Sequence, residues 1–537
     1  MGQSGRVEAR PDGAVHDPDG VCAPCHREIY ARYRQTPMAN ASGLARDGFI
    51  PGEFTHTASG VHYRVTEEGG RVWLNYQRSA STPDRALNGR QEFRYFLGSG
   101  KRGRTYLFER EGYWFESPIN WYSKKKIWDM APNLQAAREM PLTLPVDPGC
   151  LHCHASNVAR SLPEARNRYS APPFAQGGIT CEACHGNSSA HIASSGKIPM
   201  LKIDALQPVR RDSICLNCHL EGQEEIIRDG KRLEDFVPGD NLFDFAAYFV
   251  YKREMGAGGR ATSQWEALLR SECKRKSGDR LSCTTCHDPH GSPTAESKAE
   301  FYRQKCLGCH RQEGFAQAHH PENRDCTSCH MARSPANDIA HEQVTDHWIR
   351  KRVSNEREPK TEGGELEAIE KVSGDDRDLG LAYAELAVHG DRSAGERAMT
   401  LLKRAEHAGN EVRSDHELHA DLGFLEQMKG DGSAAAEEYQ MALQADPYDW
   451  LAAGDVALLE AGKHDYSEAV QLWERVFEHD PAQLGAGMNL ATVECGMGEQ
   501  AAAEETLERI LEFSPDDQKA KDLLIEIRSK RQNCRPR

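Results

Sequence analysis

The sequence has 537 residues, which is enough for two or three domains, and its 38% hydrophobic and 28% charged residues are ordinary for a folded chain in water. The formal net charge is −15, and we expect no nucleic acid among the partners of the protein. No run of about 18 apolar residues occurs, so the sequence predicts no transmembrane segment.

The charge is distributed unevenly along the chain. Residues 361–537 contain 18 Lys and Arg against 38 Asp and Glu, a net charge of −20, whereas residues 1–360 have a net charge of +5. The two parts are electrostatically different, and we expect them to be separate domains.

The first stretch with recognisable chemistry is Cys22-Ala-Pro-Cys25-His26, which is followed by a predicted helix over residues 27–38. Alternating apolar and polar residues then predict a β-hairpin with strands at 61–65 and 72–76. Further strands are predicted at 93–97, 104–108 and 113–115. We therefore expect a small antiparallel β insertion at about residues 50–125.

The pattern Cys-x-x-Cys-His occurs seven times. Its cysteine pairs are Cys22 and Cys25, Cys150 and Cys153, Cys181 and Cys184, Cys215 and Cys218, Cys283 and Cys286, Cys306 and Cys309, and Cys326 and Cys329. The histidines that follow are His26, His154, His185, His219, His287, His310 and His330. A zinc knuckle or a redox dithiol does not need this histidine. We interpret each copy as a haem c attachment site, in which two thioether bonds hold the porphyrin and the histidine binds the iron.

Seven covalently attached haems are therefore predicted. Motifs follow one another closely between Cys150 and His330, so the haems themselves must form much of the core there. The aromatic stretch Asn241–Tyr251 lies in the longest gap between these motifs and could pack on haem faces or on an ordinary apolar surface.

Residues 351–376 are rich in charge and glycine and are interpreted as a linker. Beyond them the sequence repeats, because Asp446-Pro447, Asp480-Pro481 and Ser514-Pro515 follow one another at a constant spacing. Alanines keep the same phase at Ala435, Ala469 and Ala503. A period of 34 residues with small residues at fixed positions resembles the tetratricopeptide repeat. We therefore predict that residues 377–537 form a helical solenoid with a capping helix at 516–530.

Each iron needs a second axial ligand, and ten further histidines occur before residue 350, which leaves open whether one iron is exposed. His191 follows the third motif, His290 follows the fifth, and His319-His320 precede the seventh. These spacings resemble the tetrahaem cytochrome of ammonia oxidisers and the wider hydroxylamine oxidoreductase superfamily. The resemblance implies His191, His290 and His320 as distal ligands, with His347 as a further ligand position.

We also predict His341 as a candidate axial ligand. The segment Tyr30–Ala39 is similar to a helix that often carries a distal histidine in that superfamily, but the position is Met38 here. Methionine would raise the potential of the first haem, or Met38 only packs. Cys273, Cys495 and Cys534 lie outside the motifs, and their number leaves their pairing open.

The predicted fold is mainly α: a haem-packed cytochrome domain over residues 20–350 with a β insertion, a linker, and a solenoid over 377–537. The predicted function is an exported, periplasmic or otherwise extracytoplasmic, electron carrier with redox partner proteins, and its repeats bind a protein partner. No signal peptide is visible in the sequence. The alternatives are an oxidoreductase that acts on a small nitrogen or sulfur compound at one open haem, and a haem-bearing structural subunit. The Cys-x-x-Cys-Lys motif of related nitrite reductases is missing, which favours the carrier.

Overall fold

The computed structural model of the protein describes residues 18–80, 85–252, 263–311, 319, 325–331, 333, 345–351, 364–370, 376–408, 415–529 and 534. The chain forms two compact units that each combine distant segments. The first unit contains Ala41–Gly178 and Leu402–Arg537. The second contains Asp17–Asn40 and Ile179–Leu401.

The first unit contains two antiparallel sheets. Their strands are β1 (Ser42–Leu44), β2 (Gly52–Thr55), β3 (His62–Glu68), β4 (Arg71–Arg78), β5 (Leu87–Phe93), β6 (Tyr95–Leu97), β7 (Gly103–Arg110), β8 (Tyr113–Glu116), β9 (Ile119–Tyr122) and β10 (Ile127–Met130). Among the described residues, one sheet has the order β2-β3-β4-β5 and the other β1-β6-β7-β9-β10, with β8 paired to β7. The predicted hairpin is confirmed as β3 and β4, and the predicted strands at 93–97, 104–108 and 113–115 are confirmed within a few residues. The β-rich region is larger than the predicted insertion, because β1, β2, β5, β9 and β10 were not predicted.

The alternation of apolar and polar residues along the hairpin determines which side chains face the core. Tyr63 and Val65 on β3 face the same side as Val72 and Leu74 on β4, and all four are buried. Residues two apart in a strand share a face, which is why the pattern could be read from the sequence. The core also takes in Phe513, which lies near the other end of the chain.

The helices that precede the solenoid are short, and several of them contain a Cys-x-x-Cys-His motif. They are α1 (Arg27–Tyr33), α2 (Pro148–His154), α3 (Glu182–His185), α4 (Ser189–Ala193), α5 (Pro208–His219), α6 (Gln264–Leu269), α7 (Glu272–Ser277), α8 (Cys283–Cys286), α9 (Lys298–Leu307) and α10 (Cys326–His330). Short strands accompany them: β11 (Ala155–Val158) pairs with β12 (Phe174–Gly177), and β13 (Glu224–Ile227) pairs with β14 (Ala246–Tyr251), which pairs with β15 (Leu366–Ala368).

The C-terminal part is helical, as predicted. Its helices are α11 (Asp376–Val388), α12 (Arg392–Ala408), α13 (His416–Lys429), α14 (Gly432–Ala445), α15 (Trp450–Gly462), α16 (Tyr466–His479), α17 (Leu484–Met497), α18 (Gln500–Phe513) and α19 (Gln518–Arg528). An aspartate caps many of them, for example Asp415, whose side chain accepts a hydrogen bond from the amide of Leu418. Helices α13 to α18 form the three predicted helix pairs, and α19 is the predicted capping helix. None of the described helices is both long and apolar enough to cross a membrane.

The last helix pairs pack on the sheets within the first unit. The hydroxyl of Tyr113 donates to the carbonyl oxygen of His479 at 3.0 Å, and the indole Nε1 of Trp450 donates to the carbonyl oxygen of Glu164 at 2.8 Å. The ring of Phe513 lies fully buried beside those of Tyr113 and Phe115. The solenoid and the β-rich region therefore share a hydrophobic core.

Polar contacts reinforce this packing. Arg78 forms a two-pronged ion pair with Asp516, which is completely buried and also accepts from the amide of Met140 at 2.9 Å. Arg509 binds both carboxylate oxygens of Glu111, at 2.7 and 2.6 Å. Because these partners come from opposite ends of the sequence, no local pattern could have predicted them.

Two of the three remaining cysteines are paired. Cys495 in α17 and Cys534 form a disulfide that closes a segment of 39 residues around the end of the solenoid. Cys273 is a free thiol.

Candidate haem sites

Each Cys-x-x-Cys-His motif is wound into a single turn of helix. The amide of His26 donates to the carbonyl oxygen of Cys22 at 2.9 Å, and the same bond joins His185 to Cys181 and His310 to Cys306. Because this bond links the first and last residues of the motif, the two thiols and the imidazole project from one helical turn. All the motif cysteines are free thiols, as attachment of haem requires.

Caps fix where several of these turns begin. The carboxylate of Asp147 accepts from the amide of Gly149 at 2.6 Å, and Pro148 occupies the first turn of α2. Asp325 caps α10 by accepting from the amides of Thr327 and Ser328. Helices this short are not stable alone, so the caps supply bonds that hold the thiols in place.

In the second unit, four motif histidines each face another histidine ring. The ring centroids are 6.3 Å apart for His26 and His191, 5.8 Å for His185 and His290, 6.1 Å for His287 and His347, and 5.9 Å for His330 and His319. The two rings of each pair are inclined by 12° to 31°. Metal–nitrogen bonds of about 2 Å on either side of one iron would place imidazole centroids roughly 6 Å apart. The four pairs therefore fit haem irons with histidine on both sides.

Several of these rings are oriented by a hydrogen bond from Nδ1. The Nδ1 of His191 bonds to the carbonyl oxygen of Ile198 at 2.7 Å, that of His330 to Arg350 at 2.7 Å, and that of His347 to Thr345 at 2.8 Å. Such a bond places the proton on Nδ1 and leaves the Nε2 lone pair for the iron. The carbonyl groups were not predictable from the sequence, because any residue can supply one.

Burial also favours the neutral, ligating form of the imidazole. It lowers the pKa values of His185, His287 and His347, and the neighbouring His290 and His347 lower those of His185 and His287 further. Burial lowers the pKa of His219 as well. A neutral ring binds metal without first losing a proton.

The predicted distal ligands are placed as follows. His191, His290 and His347 face motif histidines, while His320 and His341 lie outside the described residues. It is His319, next to the predicted His320, that stacks on His330. Spacing alone could not distinguish two adjacent histidines.

Met38, and His56 as one of the ten further histidines, make other contacts. His191 rather than Met38 faces His26, and the carbonyl oxygen of Met38 accepts from the amide of Ile179. His56 is buried, and its two ring nitrogens bond to the Ser59 hydroxyl at 2.9 Å and to the Gln135 carbonyl oxygen at 3.0 Å. His56 therefore has no nitrogen left for an iron.

Motifs that are distant in sequence are close in space. The thiols of Cys22 and Cys181, of Cys215 and Cys283, and of Cys306 and Cys326 interact. The ring pairs connect motifs in the same way, since His290 follows the fifth motif and faces the histidine of the third. Six of the seven motifs lie in the second unit, where the sites interlock.

The remaining motif, Cys150–His154, is the second in chain order and lies in the first unit, on α2. The Cys150 thiol contacts the carboxyl of Glu116 on β8, with Sγ and Oε1 3.5 Å apart. The carbonyl oxygen of His154 accepts from the Ser42 hydroxyl at 2.7 Å, which ties α2 to β1. Burial raises the pKa of the Glu116 carboxyl above its ordinary value. This motif thus has a half-buried acid beside its first cysteine.

Comparison with known protein families matches three parts of the chain. Residues 119–186 match the family described as cytochrome c554 and c-prime, and residues 276–315 match the doubled CXXCH motif. Residues 458–526 match the tetratricopeptide repeat.

Relatives and similar structures cover only parts of the chain. The multiheme cytochrome MtrA of Shewanella baltica (strain OS185) is 24% identical over 183 residues, which are 30% of this chain and 52% of that protein. The chain thus spans about half the length of this curated relative. MamA (41-end) of Desulfovibrio magneticus RS-1 is 18% identical over 30% of this chain and 89% of that one, with a TM-score of 0.27. The pilF structure of Pseudomonas aeruginosa is 23% identical over 29% and 70%, with a TM-score of 0.26.

The motifs, the three family matches and the similarity to the multiheme cytochrome define the class of the protein. It is a multihaem c-type cytochrome with C-terminal tetratricopeptide repeats. The narrower resemblance to the hydroxylamine oxidoreductase superfamily stays a prediction.

Proposed function

We propose that the protein is an exported electron carrier that moves electrons along seven covalently attached haems c, and that its repeats bind a protein partner. The observation that carries this proposal is the set of four facing histidine pairs. An iron with histidine on both sides has no position for a substrate, so it can exchange electrons but not bind a reactant.

Each part of the chain has a role in this proposal. A bound haem supplies reversible one-electron exchange. The paired cysteines fix each haem to its helical turn, and the carbonyl groups at Ile198, Thr345 and Arg350 hold the distal or proximal rings in the ligating orientation. Interlocked motifs keep neighbouring haems close, and we assign His320 and His341 as further distal ligands.

The proposed division of labour follows the composition of the chain. Residues 20–350 contain the haem sites, residues 351–376 connect the two parts and also supply β15 to the sheet of β13 and β14, and residues 377–537 dock a partner. Haem c is attached outside the cytoplasm, which is the reason for proposing a periplasmic or otherwise extracytoplasmic location. Solenoid repeats leave a long surface open to other proteins, which supports docking.

A second candidate function rests on Glu116. Its half-buried carboxyl lies beside Cys150, and burial raises its pKa above the ordinary value for glutamate, as is common for groups in active sites. In this alternative, the haem on α2 has an open side and reduces or oxidises a small nitrogen or sulfur compound.

Spectroscopy of the mature protein distinguishes the two functions. The protein would be produced in a bacterium that exports it and attaches haem c, and intact mass spectrometry would count the haems. Low-temperature electron paramagnetic resonance would then report the spin state of every iron. Seven adducts with only low-spin signals support the carrier. A high-spin signal that is lost when a small ligand such as cyanide binds would instead support the enzyme.

A further inference from the structure

One short segment of the second unit supports the ligands of two haem sites. It comprises residues 345–350, which follow the seventh motif. The carbonyl oxygen of Arg350 accepts from Nδ1 of His330 at 2.7 Å, and the Arg350 amide donates to the carbonyl oxygen of His330 at 3.0 Å. His330 belongs to the seventh motif, whereas His347 in the segment faces His287 of the fifth. The segment therefore lies next to the iron positions of both motifs.

The same segment contains a mostly buried ion pair. The side chains of Arg350 and Asp346 are only 14% and 16% exposed, and Nη2 of the first lies 3.4 Å from Oδ2 of the second. The guanidinium carbon of Arg350 is 4.4 Å from the centroid of the Trp348 ring, and that of Arg270 is 4.0 Å from the same ring. Stacking on an aromatic ring holds a guanidinium in place. The charge of Arg350 is thus fixed by the two residues that flank His347 in the chain.

A charge in this position acts on the redox equilibrium of the neighbouring irons. Reduction removes one positive charge from a haem iron, so a nearby cation favours the reduced form and a nearby anion favours the oxidised form. Water and salt screen a mostly buried charge much less than an exposed one. The carboxylate of Asp346 interacts electrostatically with the imidazole of His347, so the ion pair lies within range of an iron ligand.

The site of His26 and His191 provides a contrast. Nδ1 of His191 is also held by a backbone carbonyl, but that carbonyl belongs to Ile198, whose side chain is apolar. At His330 the supporting carbonyl belongs to an arginine. The same backbone support can therefore be combined with a charge or made without one.

We propose that Arg350 sets the reduction potentials of the haems on the fifth and seventh motifs together. Its carbonyl orients His330, its guanidinium raises both potentials, and the carboxylate of Asp346 limits the increase. These two haems then hold electrons more strongly than they would without the guanidinium. The proposal rests on the electron-carrier function given above and identifies a residue that controls where the electrons reside.

The test is a redox titration of the full protein with its haems attached, followed by optical absorbance and by electron paramagnetic resonance. Arg350→Gln keeps the carbonyl that binds His330 but removes the charge. We expect the reduction constants of two haems to fall about tenfold each, which is about 59 mV for a one-electron couple. Arg350→Lys keeps the charge and should lie closer to the wild type than Arg350→Gln does.

The opposite variant and a control complete the test. Asp346→Asn keeps an oxygen that can accept from the Trp348 amide but removes the negative charge, so it should raise the same two constants. A merely structural role of the ion pair predicts shifts of the same sign for both variants, since each breaks the pair. The control is Arg232→Gln, which breaks an exposed pair with Glu234 and should change no constant by more than about twofold.

Haem number and spin state are measured first on every sample, by intact mass spectrometry and by electron paramagnetic resonance. If the wild type lacks haem on the fifth or seventh motif, the proposed function and this inference fail together. With seven low-spin haems, an unchanged titration of Arg350→Gln or an equal shift in the control overturns this inference alone. If Arg350→Gln does not fold, Asp346→Asn decides: a rise of the two constants supports the inference, and a fall or no change overturns it.

Discussion

A histidine becomes an iron ligand through its orientation, not through its presence in the sequence. His191 has its Nδ1 bonded to a backbone carbonyl and its ring opposite His26, whereas both nitrogens of His56 are bonded to the protein. Both residues are single histidines in the sequence, and only the backbone around them separates their roles. The motif cysteines and histidines could be predicted because their spacing is local; distal partners could be suggested only by resemblance.

His191 gives a direct test at this scale. Replacement by alanine removes the ring that faces His26, so the haem on Cys22 and Cys25 should change from low spin to high spin while the other haems keep their spectra. Electron paramagnetic resonance of the oxidised protein measures this change. His62→Ala is the control, because His62 bonds to Thr55 on the sheet. An unchanged spectrum for His191→Ala would show that another residue ligates that iron.

Asp516 gives a second test. Its carboxylate is fully buried, and replacement by alanine leaves the guanidinium of Arg78 inside the protein without its partner. Breaking a buried pair from one side costs about 3–5 kcal/mol of unfolding free energy. The control is Asp522→Ala, which breaks an exposed pair with Arg85 at 3.2 Å and should cost at most about 1 kcal/mol. Equal midpoints of denaturant unfolding for the two variants would contradict this account.

At the scale of elements, the sequence predicts those whose pattern is complete within a short stretch. The hairpin β3–β4 alternates along both of its strands, and the helix pairs repeat with a constant period, so both were predictable. Strands β1 and β9 are shorter and show too little alternation to be recognised. They form because neighbouring strands offer hydrogen bonds. Those strands come from other parts of the chain, so a short stretch of sequence does not show them.

The disulfide at the end of the solenoid should stabilise helices α17 to α19. Closing 39 residues removes about 4 kcal/mol of chain entropy from the unfolded state. Cys534→Ser should lower the melting temperature, and a reductant should lower that of the wild type to the same value. Cys273→Ser is the control, because this thiol is not in a disulfide. If the reductant leaves the wild-type melt unchanged, the bridge does not stabilise the repeats.

The raised pKa of Glu494 in α17 implies that the stability of the solenoid depends on pH. Burial raises its pKa from 4.5 to about 7, although a hydrogen bond from Thr506 at 3.0 Å opposes the shift. The folded state then holds a proton that the unfolded state has lost. The contribution of Glu494 to the unfolding free energy is therefore complete below about pH 4.5. It is lost as the pH rises towards 7, and the loss is roughly 3 kcal/mol.

Glu494→Gln should remove this dependence and raise stability at pH 7 and above. Urea unfolding of the variant and the wild type at several pH values measures the effect. The exposed Glu437→Gln on α14, which is not among the charges that act on Glu494, serves as the control and should keep the wild-type slope. A slope that survives in Glu494→Gln would assign the dependence to other groups.

At the scale of the molecule, contacts join parts of the chain that composition separates. The acidic C-terminal third of the chain differs from the rest in charge, yet Leu402–Arg537 forms a compact unit with Ala41–Gly178. The sequence predicted both the β strands and the repeats, but not that they share a core. Periodicity reports which face of an element is apolar; it does not report which distant face covers it.

Replacement of Phe513 tests whether the sheets and the solenoid share one core. Its ring is fully buried, with its centroid 6.2 Å from that of Tyr113 and 6.1 Å from that of Phe115. Phe513→Ala removes a large side chain from the common core and should cost about 3–5 kcal/mol. Because the core is shared, the loss should extend to the strands β3 and β4 at the other end of the sequence.

Hydrogen exchange measured by mass spectrometry can follow this loss segment by segment. In Phe513→Ala, amides of β3 and β4 should exchange faster together with those of α18 and α19, since one cooperative unit opens as a whole. Phe424→Ala is the control, because Phe424 is only half-buried on α13 and lies outside that core. Faster exchange confined to α18 and α19 would show that the solenoid and the sheets unfold independently. In that case the acidic repeats would be a separable module, and the boundary near residue 377 would be thermodynamic as well as compositional.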